Sequence, residues 1–397
     1  MNYTNGYNLD ENEYEKLVTL FYNFEEYYYN KNIKYYNDYI KVIKLLDDVR
    51  NNKVSEEIKN AVLGWYIFFK TETYDIPTDG FCFDITDACQ LKCKHCYNQN
   101  FERTGTFLSY SDFVKIFYKH LEICKVFNKK SDIVYPKTCF IKGGEATLHP
   151  ELDKMITFLN SKNVNVNLET NGIYIPDTII DILTKRKTNR ISISIDGMED
   201  SHDFIRGVGS FKKSVDTIKS LLDKGFNNIS TNFVVNSYNY KDVSEYKKFF
   251  GGLGVKQRSV MRYIDQNNPY ISPINKEQSL YISDYLKMEP SLKCSVGKQF
   301  VITCNGGWKC CNKSALPELA NYLTDSVEDF IKKIRLFTIR FRSVPVYCFD
   351  CKKVNTCMGG ELCSKMSSTK KFNQEDLTCT TLNCKEYGDM YKIDTPF

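Results

Sequence analysis

The chain has 397 residues, 16 cysteines and a formal net charge of +5, with 42% apolar and 14% aromatic residues. This composition excludes a disordered chain, and the length is enough to bury a core without disulfides. The longest clean apolar run, residues 61–69, is too short to cross a bilayer, and the acidic first thirty residues contain no secretory signal. We therefore expect a cytoplasmic protein without a membrane partner, whose cysteines serve metal or redox chemistry.

Charge and cysteine are both distributed unevenly. Residues 1–79 carry 9 basic and 14 acidic side chains, so residues 80–397 carry 45 and 35. No cysteine precedes Cys82, six lie from Cys82 to Cys139, and the other ten lie from Cys294 onward. A basic excess of this size is weak evidence for nucleic-acid binding, and no interleaved aromatic and basic pattern accompanies it, so no nucleic-acid partner is expected. The distribution predicts an acidic head followed by two separate chemical regions.

The head is predicted to be helical over residues 9–70. Leu17, Leu20 and Phe24 are examples of apolar residues that recur at helical spacing. A stripe of tyrosines between residues 27 and 39 belongs either to helices that pack on a larger domain, which we favour, or to a docking surface. We predict three domains: a helical segment at 1–79, a catalytic barrel at 80–270 and a cysteine-rich region at 271–397.

From residue 80 the periodicity changes to six strand-then-helix units. Strands are predicted at 81–86, 138–142, 164–169, 190–195, 228–235 and 256–264, and helices at 109–127, 150–162, 177–186, 211–224 and 241–250. Such alternation predicts an α/β fold with a parallel sheet and right-handed crossovers. Functional groups in such a sheet collect at the carboxyl ends of the strands.

Three cysteines follow the first predicted strand, at Cys89, Cys93 and Cys96. Three thiolates within eight residues can bind three irons of an iron–sulfur cube, which leaves one iron open for a ligand that is not protein. The alternative is a zinc site completed by Cys82 or His95, because zinc prefers four closed positions.

Two further motifs follow the second and fourth predicted strands. The first contains Gly143, Gly144 and Glu145; the second begins near Ser194 and ends at Arg206. Paired glycines let a backbone approach a ligand closely, and a glutamate can accept a hydrogen bond from an ammonium. Three such motifs at three strand ends, in order, are hard to obtain by chance.

With these motifs the sequence closely resembles the radical S-adenosylmethionine (SAM) enzymes, whose hallmark is a CxxxCxxC loop after the first strand of a partial (β/α)6, TIM-like barrel. The resemblance implies a [4Fe–4S] cluster on the three cysteines and a GGE motif that holds the methionyl amino group of SAM. It further implies that His95 contacts the adenine, that Tyr97 belongs to the SAM site, and that Ser194 and Arg206 bind the SAM carboxylate. Asp196 either contributes there or braces the end of its strand.

The resemblance also implies the chemistry. SAM would chelate the open iron, and one electron from the reduced cluster would convert it to methionine and a 5′-deoxyadenosyl radical, which removes hydrogen from an unactivated carbon. A flavodoxin- or ferredoxin-type donor would supply the electron. Because the cofactor does the difficult chemistry, the barrel mainly orients the reactants and excludes water, and no catalytic side chain is assigned.

The second cysteine region can hold two four-ligand clusters, with zinc as the alternative. Its thiols are Cys294, Cys304, Cys310, Cys311, Cys348, Cys351, Cys357, Cys363, Cys379 and Cys384. Downstream of such a barrel the array resembles the SPASM extension, which carries two auxiliary [4Fe–4S] clusters, for three clusters in total. The single cysteines Cys82, Cys124 and Cys139 are expected in the core.

The SPASM resemblance implies a ligand set for each auxiliary cluster. The first set is Cys294, Cys311 and Cys363, with either Cys304 or Cys310 as a fourth ligand or an open iron for a substrate thiolate. The second set is Cys348, Cys351, Cys357 and Cys379, with Cys379 preferred over Cys384. The step from Cys357 to Cys363 contains five residues where the family usually has three.

The SPASM group acts mainly on peptides and proteins. The resemblance therefore implies a maturase of a ribosomally made precursor peptide, which installs a thioether or carbon–carbon crosslink or another modification. Alternatives are oxidation of a protein, as in sulfatase maturases, a small-molecule or haem-type cofactor substrate, and a non-catalytic zinc or nucleic-acid protein. The head at 1–79 lies outside the resemblance and has no hairpin signal for a leader-binding winged helix, so it is either a cap or a different docking surface.

Overall fold

The computed structural model describes residues 7–71, 80–96, 104–127, 136–255, 257–263, 268–283, 300–310, 318–341, 343–349 and 351. The chain divides into two compact units. The first unit comprises residues 1–74, 289–297 and 331–397, and the second comprises 75–288 and 298–330. The domain boundaries predicted after residues 79 and 270 stay predictions.

The head is helical, as predicted from its apolar spacing. Its helices are α1 (Glu11–Asn30), α2 (Tyr36–Arg50) and α3 (Glu56–Thr71). Asp10 caps α1, because its carboxylate accepts hydrogen bonds from the backbone N–H groups of Asn12 and Glu13. The helix ends at Lys31, whose left-handed backbone (φ 54°) stops further helical bonding.

Aromatic rings form the core of this helical unit. Phe24 is fully buried, stacks on Tyr39 at 5.1 Å between ring centroids and meets Trp65 edge-on at 5.4 Å. Phe21 stacks on the Trp65 ring, with 4.2 Å between the ring centroids. The buried carboxylate of Glu25 accepts a hydrogen bond from Trp65 Nε1 at 2.8 Å. The tyrosine stripe therefore contributes at Tyr39 to the helical core.

Charged side chains join the second half of α11 (Val327–Phe341) to α1 within the same unit. Arg335 forms a buried ion pair with Glu26, and Arg340 pairs with Glu15 at 2.5 Å. The Tyr14 hydroxyl donates a hydrogen bond to the Arg340 carbonyl at 3.0 Å. These contacts fix α11 residues that the sequence pattern did not assign to the head.

The second unit contains a parallel sheet of six strands with intervening helices, which confirms the α/β prediction. The strands are β1 (Gly80–Asp84), β2 (Thr138–Lys142), β3 (Asn165–Thr170), β4 (Arg190–Ser194), β5 (Ile229–Val235) and β6 (Gln257–Arg262). The helices are α4 (Tyr110–Phe127), α5 (Leu152–Ser161), α6 (Asp177–Thr184), α7 (Glu199–Arg206), α8 (Ser210–Asp223), α9 (Val243–Gly252) and α10 (Lys276–Ser283). Neighbouring strands pair in sequence order from β1 to β6. No described helix combines the length and apolarity needed to cross a membrane.

Three short strands extend the sheet beyond β1. They are β7 (Val301–Ile302), which pairs parallel with β1, and the antiparallel β8 (Gly307–Lys309) and β9 (Ala320–Asn321). The regular strand-and-helix alternation that predicted the first six strands fails in this part of the sequence. The pairing of β7 with β1 is therefore a finding of the tertiary structure.

The two faces of the sheet differ in polarity because side chains alternate along each strand. On the helix-covered face, Phe83 of β1 packs against Phe113 of α4 with 4.5 Å between ring centroids, and Ile141 and Leu168 are fully buried. We call the opposite face the inner face. In its carboxyl-terminal half it carries Asp84, Lys142, Glu169 and Ser192. Charged residues on that face are consistent with a solvated or ligand-bearing interior.

Asn189 shows how one polar side chain fixes the connection into β4. It is fully buried, and its Oδ1 accepts a hydrogen bond from the Val166 backbone N–H at 2.9 Å. Its Nδ2 donates to Asn160 Oδ1 at 3.1 Å and to the Leu183 carbonyl at 3.2 Å. The Asn189 side chain therefore provides hydrogen-bond partners for the Val166 N–H and the Leu183 carbonyl.

Replacing Asn189 by alanine should destabilise the second unit by roughly 2–4 kcal/mol, because it leaves a buried N–H and a buried carbonyl unpaired. Urea unfolding followed by circular dichroism measures the change. Asn227→Ala is the matched control, since Asn227 is exposed and bonds only to the Gly225 carbonyl among the recorded hydrogen bonds. Equal losses in the two variants would contradict the bracing role of Asn189.

Candidate functional site

The three predicted cluster ligands lie on one loop directly after β1. Cys93 is 8% exposed, while Cys89 and Cys96 are half-buried, and the Cys96 backbone N–H donates to the Cys93 carbonyl at 3.1 Å. Burial raises the pKa of the Cys93 thiol to about 11, and the nearby thiols of Cys89 and Cys96 act in the same direction. The structure thus brings the three sulfurs together. Such a thiol is protonated at neutral pH unless a metal takes the place of the proton.

The GGE motif holds this loop by backbone contact. The backbone N–H of Gly144 donates to the Thr86 carbonyl, and that of Glu145 donates to the Ala88 carbonyl, each at 2.7 Å. A Cβ atom on Gly144 would lie 2.3 Å from the Ala88 oxygen, and one on Gly143 would lie 2.4 Å from the Thr86 oxygen. The two glycines are therefore required for close approach to the cysteine loop itself.

The Glu145 carboxylate braces two strand ends. It is 2% exposed, and it accepts hydrogen bonds from Thr170 Oγ1 at 2.7 Å, Thr147 Oγ1 at 2.8 Å and the Asn171 backbone N–H at 2.7 Å. These bonds join the loop after β2 to the loop after β3. The sequence analysis did not identify Thr170 and Asn171 as site residues. They lie at the carboxyl end of β3, as the other motifs lie at the carboxyl ends of their strands, and this position could have indicated them. The expected contact of Glu145 with the SAM amino group stays a prediction.

Lys94, between the second and third cysteines, ties the loop to the end of α7. Its backbone N–H donates to the Ile205 carbonyl at 2.8 Å, and its ammonium lies 3.7 Å from the centroid of the Phe204 ring. The Phe204 ring also stacks on the Tyr238 ring, with 4.0 Å between their centroids. On the loop itself, Asn268 Nδ2 donates a hydrogen bond to the Lys94 carbonyl at 2.6 Å. A cation at a helix C-terminus and above an aromatic ring is doubly stabilised. No sequence pattern pointed to this tether.

Asp196 is the buried charge at the centre of the site. It is fully buried; its Oδ2 accepts hydrogen bonds from Arg206 Nε at 2.5 Å and His95 Nε2 at 3.0 Å, and its Oδ1 accepts one from the Val234 backbone N–H at 2.8 Å. Burial alone would raise the pKa of Asp196, but Arg206 and His95 outweigh it and hold that pKa well below its usual range. Asp196 is therefore ionised and braces the ends of β4 and β5.

Arg206 faces the cysteine loop as well as Asp196. Burial works against its charged form, but Asp196 and the thiols of Cys93 and Cys96 outweigh burial and raise the pKa of Arg206. A guanidinium beside these sulfurs stabilises thiolates. Ser194 is half-buried at the carboxyl end of β4. Ser194 and Arg206 therefore lie at the edge of the sheet where the cysteine loop lies. Their binding of the SAM carboxylate stays a prediction.

The donor set fits a cluster with three thiolate ligands. Within the described residues, no group of three or more His, Cys, Asp and Glu side chains is placed to hold a single metal ion. His95 Nε2 is bonded to Asp196, and Cys82 lies on β1 beside Lys142. Cys89, Cys93 and Cys96 supply three thiolates from one loop, which is the number that a cluster with one open iron accepts.

Four of the predicted auxiliary-cluster cysteines lie in the described residues. In the second unit, Cys304 follows β7 near Asp84 and Asp87, and burial raises the pKa of its thiol to about 11; Cys310 follows β8 and is fully buried. In the first unit, Cys348 and Cys351 lie in one turn, where the Cys351 N–H donates to the Cys348 carbonyl at 3.0 Å. Outside the described residues are Tyr97, Cys294, Cys311, Cys357, Cys363, Cys379 and Cys384.

The single cysteines of the catalytic region are buried. Cys139 is fully buried on β2, Cys82 is 8% exposed on β1, and Cys124 of α4 is 6% exposed with its sulfur 3.3 Å from His120 Nε2. Burial raises the pKa of all three thiols. Their surroundings match those expected for core residues.

Part of the chain is similar in sequence to a known family and to curated proteins. The radical SAM superfamily matches residues 83–250. The sporulation killing factor maturation protein SkfB of Bacillus subtilis (strain 168) is 30% identical over 162 residues, which cover 41% of this chain and 37% of SkfB. The chain thus spans less than half of the length of the curated relatives it matches first.

Two solved structures show the same fold. SuiB of Streptococcus suis, bound to S-adenosylmethionine, superposes with a TM-score of 0.61 at 17% identity and covers 94% of each chain. The anSMEcpe protein with bound AdoMet and the Kp18Cys peptide has a TM-score of 0.61 at 17% identity, covering 77% of this chain and 95% of its own. At these identities the similarity establishes the fold.

The sequence match gives the family of this part of the chain, and the two solved structures show its fold. Membership implies a SAM-binding [4Fe–4S] cluster, which the thiols of Cys89, Cys93 and Cys96 fit. The match begins in β1 and ends in α9, so it includes the three-cysteine loop, the GGE motif and the segment from Ser194 to Arg206. Residues 83–250 of this chain are therefore a radical SAM domain.

Proposed function

We propose that this protein reductively cleaves SAM and uses the resulting radical to abstract hydrogen from a peptide. The observation that carries the proposal is the three-cysteine loop held against the GGE backbone, with Arg206 beside its thiols. When bound, the cluster and SAM supply a 5′-deoxyadenosyl radical. Cys89, Cys93 and Cys96 would hold the cluster, with one iron open to SAM.

We assign the side chains of the site a positioning role and no catalytic role. Asp196 fixes His95 and Arg206 by hydrogen bonds, and the Glu145 carboxylate fixes the ends of β2 and β3. Because Asp196 and Glu145 are buried and already hydrogen-bonded, they hold their geometry when a ligand binds. SAM would lie between these fixed loops, with Ser194, Arg206 and the GGE motif as its polar contacts.

A ribosomally made precursor peptide is the proposed substrate. SkfB is by name a maturation protein, and SuiB has been solved bound to its precursor peptide SuiA. Both similarities support a peptide modification. The modification that we propose is a thioether or carbon–carbon crosslink, or another modification of the peptide. A flavodoxin- or ferredoxin-type protein is the proposed electron donor.

Two auxiliary [4Fe–4S] clusters complete the proposal. Cys348 and Cys351 lie at CxxC spacing in one turn, which packs beside the apolar residues Ile67, Phe68 and Val344 of its own unit. Apolar surroundings protect cluster ligands from solvent. The remaining ligands are those inferred from the SPASM resemblance.

The decisive experiment is anaerobic reconstitution followed by iron, sulfide and 5′-deoxyadenosine analysis. Three clusters correspond to about 12 irons per chain. Zinc in place of iron, with no SAM cleavage, would contradict the proposal. Coexpression with a candidate precursor then tests the substrate, since a crosslink or oxidation lowers the mass of the peptide by two hydrogens.

Replacing Cys89, Cys93 and Cys96 together by alanine should abolish 5′-deoxyadenosine formation and remove about four irons, because it removes all thiolates of one cluster. Iron analysis and chromatography of the products measure both effects. Cys139→Ala is the control: it removes a buried thiol of the same unit that lies on the helix-covered face. Retained SAM cleavage in the triple variant would refute the assignment of the cluster ligands.

Asp196→Asn should lower the free energy of unfolding of the second unit by about 3–5 kcal/mol, because it leaves the buried Arg206 charge uncompensated. Since the folded-state pKa of Asp196 lies below its ordinary value of about 4, the contribution is present above about pH 4 and is lost as pH falls further. Urea unfolding at pH 7 and at lower pH measures it. Asp216→Asn, which breaks the exposed pair with Lys212, should have little effect. An unchanged stability of Asp196→Asn would contradict the central role of this charge.

Replacing Cys348 and Cys351 by alanine should remove about four irons while SAM cleavage without substrate continues, because these ligands are assigned to an auxiliary cluster. Iron content and 5′-deoxyadenosine yield are measured on the same preparation. Loss of SAM cleavage together with the iron of the first cluster would count against separate clusters.

A further inference from the structure

A cavity of about 830 Å³ opens at the amino-terminal ends of β2 to β5. This is the edge of the sheet opposite to the three-cysteine loop. Its walls include Thr138, Asn165 and Arg190 at the starts of strands, and the connections at 184–188 and 225–228. None of the residues assigned to the cluster or to SAM lines it, and its volume is in the range of ligand-binding pockets.

The charge of the cavity is one-sided. Arg186, Lys187 and Arg190 line it, and no Asp or Glu occurs among its described lining residues. Nor does any described acidic side chain form a recorded ion pair with these three cations. A concave surface with several uncompensated positive charges attracts and concentrates anionic ligands.

The two arginines of the cavity differ in how many of their guanidinium N–H groups donate hydrogen bonds. Arg186 is held in place, with Nη1 donating to Asn163 Oδ1 at 2.7 Å and Nε donating to Asn165 Oδ1 at 2.9 Å. Arg190 makes one long contact, from Nε to Asn228 Oδ1 at 3.4 Å, and its terminal NH2 groups have no hydrogen-bond partner in the described part of the chain. A free, half-buried guanidinium fork is suited to a carboxylate.

The floor of the cavity is the inner face of the sheet. Arg190 is the register partner of Asn167, which in turn pairs with Phe140, and all three line the cavity. Phe140 is on the same face as Lys142, two residues further along β2. From Phe140 to Gly143 the strand advances by roughly 10 Å. The GGE motif therefore follows the far end of the strand whose Phe140 side chain lines the cavity.

We propose that this cavity binds an acidic segment of the peptide substrate, with carboxylates on Arg190 and Lys187. The inference rests on the proposed peptide-modifying function and adds the chemistry of recognition: negatively charged residues seated at the amino-terminal edge of the sheet.

The test uses the full chain with its clusters reconstituted, and a fluorescein-labelled hexaglutamate as the probe. Fluorescence anisotropy should show binding of hexaglutamate that weakens with added salt, and no binding of hexalysine. The double variant Arg190→Gln/Lys187→Gln should raise Kd about tenfold or more, since two charged hydrogen-bond donors are lost. The control Lys154→Gln/Lys212→Gln removes two exposed lysines of the same unit and should leave Kd nearly unchanged.

Equal weakening by the two double variants would overturn the inference, because it would show attraction to the overall positive charge only. Tighter binding of pyrophosphate than of hexaglutamate, with the same dependence on Arg190 and Lys187, would also overturn it in favour of a phosphate site. If circular dichroism shows that the Arg190 substitution disturbs the fold, Lys187→Glu alone, at an exposed side chain, should still weaken hexaglutamate binding.

Failure of this inference is distinguishable from failure of the proposed function. SAM cleavage by the unmodified protein together with absent hexaglutamate binding would refute the cavity assignment alone. Absent SAM cleavage would refute the proposed function, whatever the cavity binds.

Discussion

The close backbone contact between the loop after β1 and the loop after β2 is the constraint on which the site depends. Gly143 and Gly144 permit it, because a Cβ atom at either position would overlap a carbonyl oxygen of the first loop. The two hydrogen bonds that result, from Gly144 to Thr86 and from Glu145 to Ala88, set where the cysteine loop begins. The start of the loop that carries the three thiols therefore depends on glycine at positions 143 and 144.

A second constraint is electrostatic, and it connects the cysteine loop to the far strands. The buried carboxylate of Asp196 binds both His95 of the loop and Arg206 of α7. Burying that carboxylate is costly, and the cost is offset only while both partners and the Val234 N–H remain in place. The cluster loop, α7 and β5 are thus coupled through one ionised group, although His95 and Arg206 lie more than a hundred residues apart in the sequence.

The elements with strong periodicity could be predicted from sequence. The prediction for β2, residues 138–142, coincides with the observed strand, and the other strands of the parallel sheet differ by a few residues at their ends. The short strands β7 to β9 could not be predicted, because two or three residues carry no readable alternation and their pairing with β1 is a long-range contact. The tether through Lys94 and Phe204, and the brace of Glu145 by Thr170 and Asn171, were missed for the same reason.

From the sequence alone, cysteine spacing, the paired glycines and their order after successive strands identified a radical SAM domain and the chemistry proposed for it, since these features depend on local spacing along the chain. Only the tertiary structure decided which side chains surround that chemistry. It placed Arg206 and Asp196 beside the thiols, and it formed the basic cavity from Arg186, Lys187 and Arg190 at the opposite edge. Partners in such contacts are set by how strands and helices pack, because burial and charge pairing depend on distance in space and not on separation in sequence.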